Sequence, residues 1–77
     1  MPQREINFQT RRENNVWWVD IVTSYPSTKE EIDRKQLPFL TFAEAVEALD
    51  TARNQLWEKI QEWNRNNPDE GEWKMLH

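Results

Sequence analysis

The chain has no cysteine, one glycine and one histidine. Without thiols it forms neither disulfides nor thiolate metal sites. The single imidazole, His77, stands at the C-terminal position, so no histidine cluster and no Ser/His or Cys/His catalytic arrangement can be assembled. It is expected to be a frayed end. One glycine is too few for the Gly-rich loops that cradle phosphates. Apolar runs are short as well: none approaches the roughly 20 residues of a membrane span, and the start MPQREINF has no apolar centre of the signal-peptide kind. Cytoplasmic residence is the resulting expectation, with no cofactor and no metal.

Positive charge is also in short supply. Ten basic residues against fourteen acidic ones make the net charge −4. Residues 1–41 are neutral, with six of each sign, and all the excess acid lies in 42–77. Nonspecific nucleic-acid binding normally wants the opposite sign. The 77 residues predict a single domain, near the size at which one core supplies only a few kcal/mol.

What is present begins with a helix over about 42–66, TFAEAVEALDTARNQLWEKIQEWNRNN. Thr41 followed by Glu44 has capping-box spacing, and Asn66, Asn67 and Pro68 supply the stop. At about 100° per residue, Phe42, Ala45, Val46, Leu49, Ala52, Leu56, Ile60 and Trp63 form one apolar stripe, with Trp57 at its edge. That stripe is expected to be core. Glu44, Glu47, Glu58 and Glu62 share the helix's back, either a solvated face or a secondary acidic footprint for a basic partner.

Upstream the apolar period changes to two. If Asn14 and Asn15 make a two-residue turn, Arg12 faces Trp17, Thr10 faces Val19, Phe8 faces Ile21 and Ile6 faces Thr23, all on one largely apolar face. A slip of one residue would split Phe8 from Ile21. Strands are thus expected at about 5–12 and 16–25. The segment KEEIDRKQ is too polar for a central strand and is expected to be an excursion or a single helical turn. KQLPFL, about 35–40, follows as an edge strand because Pro38 cannot donate to a ladder. Residues 67–77 read as a turn and a short extended tail. The fold class is α+β: a three-stranded antiparallel sheet, a β-hairpin plus an edge strand, packed on one long C-terminal α-helix.

In that register Trp17 lies under the helix and Trp18 points away from it. Trp18 has Arg11 opposite and Val16 and Val22 around it, on a face with little to cover it except a tail carrying Trp73. Arg11 over the indole, or the tail folded back, would merely shield it. Left open, Arg11, Val16, Trp18, Val22 and Trp73 form a candidate partner-binding set, rich in the residue types of interface hot spots. The carboxylate pairs Glu30 with Asp33 and Asp69 with Glu70 have no catalytic companions and are expected to be solvated.

The order strand, strand, strand, helix, with an aromatic second strand and FLTFAEAVEAL entering the helix, resembles in topology the sheet-and-helix DNA-binding domains of plant ethylene-response factors and the arm-type domains of tyrosine integrases. The resemblance covers residues 5 to about 57 and implies base reading by the face of Arg11 and Trp18, although these strands lack a surplus of Arg and Lys. It stands as the alternative reading. The leading expectation is a small noncatalytic interaction protein, an adaptor, regulator or inhibitor of the kind a bacterium or its virus encodes, with a protein partner and a homodimer narrowly favoured over a monomer.

Overall fold

The structure, a computed structural model, describes residues 3–76, so the expectation for His77 falls outside it. Strand β1 (Arg4–Glu13) turns through Asn14 and Asn15 into β2 (Val16–Ser24). Both turn residues have positive φ, 53° and 63°, the backbone that a type I′ hairpin requires and that asparagine accepts. The pairing runs from Glu13 opposite Val16 to Glu5 opposite Ser24, in the register that the turn and the apolar pattern together dictate. Strand β3 (Glu31–Phe39) pairs antiparallel with β2, followed by helix α1 (Phe42–Asn66) and β4 (Trp73–Leu76).

The sheet is mixed and has four strands in the order β3-β2-β1-β4 rather than three antiparallel ones. β4 is the segment expected as an extended tail; it runs parallel to β1, with Arg4 opposite Trp73. Side-chain chemistry on the helix holds it there. The Trp73 N–H donates to Asn64 Oδ1 at 3.0 Å, and Asn64 Nδ2 donates to the Trp73 carbonyl at 3.1 Å. A side-chain amide thus imitates a strand's donor and acceptor on the helix side of Trp73, and the Arg4 N–H donates to the Glu72 carbonyl at 3.0 Å. Asn64→Ala is expected to cost about 1–3 kcal/mol by stranding part-buried backbone groups. Hydrogen exchange should then quicken at residues 73–76 while β1 and β2 keep their protection.

β3 begins at Glu31, so the polar stretch expected as an excursion is largely strand. The cause is its position at the sheet edge, where polar side chains stay in water and only one ladder need form. Pro38 is accordingly in an edge strand. A register shift at Thr23/Ser24 and a left-handed Lys29, φ 62°, turn the chain from β2 into it.

The helix occupies the span expected of it. The Thr41 hydroxyl accepts from the Glu44 N–H at 3.2 Å and donates to Glu44 Oε1 at 3.0 Å, so the carboxylate orients the cap through the hydroxyl. At the other end the Asn67 N–H donates to the Trp63 carbonyl. The helix crosses the sheet from Trp17 on β2, whose ring lies 4.8 Å from Phe42, to Trp73 on β4, whose ring lies 6.3 Å from Trp63. Ile6, Phe8 and Ile60 form the buried cluster between helix and sheet, with Val19 and Ala45 also buried.

Two expectations about depth are corrected by this crossing. Trp17 faces the helix but is only half-buried, because it meets the first helical residue at the sheet's rim. Phe42, Val46 and Trp57 were expected to be core or its edge and are exposed. A 25-residue helix is about 37 Å long at 1.5 Å per residue; at about 3.3 Å per residue, strands of nine or ten residues reach only about 30–33 Å. A helix longer than the strands it packs on leaves part of its apolar stripe without a floor.

Candidate functional site

The sheet face away from the helix is built around a carboxylate. Asp20, in the central strand β2, is 1% exposed. Its Oδ2 accepts from Arg11 Nε at 2.9 Å and from Arg34 Nη1 at 3.3 Å, while Oδ1 is buried without a hydrogen-bond partner among the described residues. Arg11 also pairs with Glu13, and Arg34 with Glu31 at 2.7 Å. The hydrogen bond to Asp20, then the charges of Asp20 and Glu13, outweigh desolvation and raise the Arg11 pKa, so the guanidinium stays charged at any working pH. A second carboxylate, Glu5, is 6% exposed and is met by Lys29 Nζ at 3.2 Å and by the Ser24 hydroxyl at 3.4 Å.

Trp18 lies beside this network, half-buried, with the Arg11 guanidinium 5.4 Å from its ring centroid. Across the ladder it faces Pro38. Val16 and Val22 are half-buried on the same face, so the structure brings Arg11, Val16, Trp18 and Val22 together.

Trp73 does not join them. Its pairing with Arg4, in the alternation that puts Ile6 and Phe8 in the core, turns it to the helix side, where it packs against the buried cluster and under the Arg4 guanidinium at 5.1 Å. Its place in the partner-binding set is therefore corrected, and Trp73 does not shield Trp18. The acidic residues Glu44, Glu47, Glu58 and Glu62 are all exposed, Glu44 being engaged by its cap.

The largest exposed apolar groups lie elsewhere. Leu40 in the β3–α1 link is 81% exposed, Phe42 51% and Val46 36%, with Leu37 of β3 also exposed. Trp57, 48% exposed, continues the flank of Phe42 and Val46 further along the helix. Residues 37–46 thus carry four exposed large apolar side chains where β3 passes into the helix, and Ile32, 45% exposed, is a further one near the start of β3. Sequence reasoning placed Phe42 and Val46 in the core and assigned Leu37 and Leu40 only to a strand. It also missed Asp20 as the centre of the opposite face, although an acid in the middle of VWWVDIV was the available signal, and Arg34, because its segment was not read as a strand.

No family model matches the chain, and no curated protein or solved structure matches it.

Proposed function

We propose that the chain is a noncatalytic, cytoplasmic protein-binding module, an adaptor, regulator or inhibitor, that holds its partner against the apolar end formed by Leu37, Leu40, Phe42 and Val46. The exposure of Leu40 and Phe42 carries this reading: apolar groups grouped on a surface mark interaction sites where scattered ones do not. Phe42 is presented by a capped helix and braced by Trp17, so little order has to be gained on binding. Among the described residues no helix is long and apolar enough to cross a membrane, so this surface is not part of a spanning helix.

Charge supports a protein partner over nucleic acid. On the outer face Arg11 and Arg34 are neutralised by Asp20, Glu13 and Glu31, leaving no uncompensated cation on either for a phosphate backbone. A second reading keeps the partner on the Trp18 face, favoured by the observation that among the described residues no element crosses it.

Affinity capture from the source cells separates the two. Leu40→Ser with Phe42→Ser should weaken capture by about 2 kcal/mol or more, the hot-spot scale, with an unchanged circular dichroism spectrum, while Trp18→Ala should change it little. The reverse ranking moves the site to the sheet face, and wild-type chain that captures nothing overturns both. Light scattering of the isolated chain shows whether the partner is a second copy.

A further inference from the structure

Between the C-terminal half of the helix and the β1–β4 edge lies a cavity of about 240 Å³. Its walls are the side chains of Ile6, Leu56, Ile60, Trp63 and Trp73, and its polar groups are Arg4 and Lys59. The two indoles meet edge to face, 78° between planes, which gives a right-angled apolar corner. Arg4 is held over Trp73 with its guanidinium 5.1 Å from the ring. In a chain of net charge −4, neither Arg4 nor Lys59 has a carboxylate within 4.0 Å among the described residues. The contrast with Arg11 and Arg34, each paired twice, is sharp. Two cations without an ion-pair partner among the described residues, lining an apolar cavity, are the complement of a small molecule with a hydrophobic body and one anionic end.

We propose that this cavity binds a small aromatic carboxylate, its ring against Trp63 and Trp73 and its carboxylate between Arg4 and Lys59. The volume of about 240 Å³ lies below the roughly 300–1,000 Å³ of pockets for drug-sized ligands and matches about one ring with a short acid arm. Aromatic walls select a ring, since offset and edge-to-face contacts add to simple burial. Arg4 is held against its indole, and a guanidinium can meet a carboxylate with two parallel donors. The site is at the opposite end of the helix from Leu40 and Phe42, and its occupancy does not depend on the protein-binding reading.

Phenylacetate is the probe, phenylacetamide its neutral counterpart, and the readout is the set of five Trp indole N–H signals in nitrogen–proton correlation spectra, assigned with single Trp→Phe variants. Saturable shifts should appear at Trp63 and Trp73 while Trp17 and Trp18 stay still. Phenylacetamide, and phenylacetate with the Lys59→Gln variant, should bind at least about tenfold more weakly, because each lacks one member of a charge-assisted contact. Lys59 is exposed and unpaired, so that variant keeps its fold; Arg4→Gln, read by the same signals, tests the second cation. The proposal is overturned by the absence of saturation, by shifts spread evenly over all five indoles, or by equal affinity for the acid and its amide.

Discussion

Phe8→Ala is expected to leave the protein largely unfolded. Phe8 is buried between Ile6 and Ile60, and its ring also carries the Arg53 guanidinium at 5.6 Å. Truncating a buried phenylalanine removes the transfer free energy of the ring and leaves a cavity that the surroundings refill only in part, about 3–5 kcal/mol together. A single core in a chain of this size rarely supplies more than about 3–5 kcal/mol, so one substitution removes most of the margin. Arg53 gains some hydration when the ring is gone, since its Nε is buried without a partner among the described residues, which trims the loss without reversing it. Phe8→Leu keeps most of the volume and should cost under about 1.5 kcal/mol. Urea titrations followed by far-ultraviolet circular dichroism check the pair. Equal small losses from both would move the core away from Phe8.

The second large effect is expected on the other face. Arg11→Met with Arg34→Met should cost about 3 kcal/mol, because Asp20 would then be a buried charge with no cation beside it. The lower end of the range for broken buried pairs applies, as the two guanidinium groups are 35% and 40% exposed and water can follow them in. Either substitution alone should cost less, since the other arginine remains on Oδ2. Adding Asp20→Leu to the double variant should recover the loss or more, because an apolar replacement of a whole buried ion cluster is often neutral or stabilising. Chemical denaturation of the four variants measures the coupling directly. A triple variant no better than the double would show that Asp20 contributes through contacts other than its charge.

This network explains why the outer face was only half legible. Arg11 was placed on it by alternation along the hairpin, but its bond to Asp20 is diagonal, and Arg34 arrives from a strand whose start lies in the most polar stretch of the chain. Trp18 was rightly turned away from the helix. How deeply it sits depends on Arg11, and Arg11 is held by Asp20 and Glu13. The apolar end was misread for a related reason: the periodicity of Phe42 and Val46 states which side of the helix they share, not whether a sheet lies beneath that side.

What the sequence determined by itself is what neighbouring residues decide. Two asparagines at positive φ set the hairpin, period-two alternation locked its register, and Thr41 with Glu44 started a helix that Asn67 and Pro68 ended. Each rests on steric or hydrogen-bonding rules acting within a few residues. Only the tertiary structure decided that Trp73–Leu76 pairs parallel with Arg4–Asn7, that Trp73 joins the core, and that the helix leaves Leu40, Phe42 and Val46 uncovered. Those outcomes compare alternatives between segments remote in the chain: the Asn64 side-chain amide joins the β1 ladder in docking β4, and the exposed end of the stripe belongs to a helix longer than the strands it packs on. Local periodicity carries no term for either, because it specifies a face and not the extent of the surface against which that face will be buried.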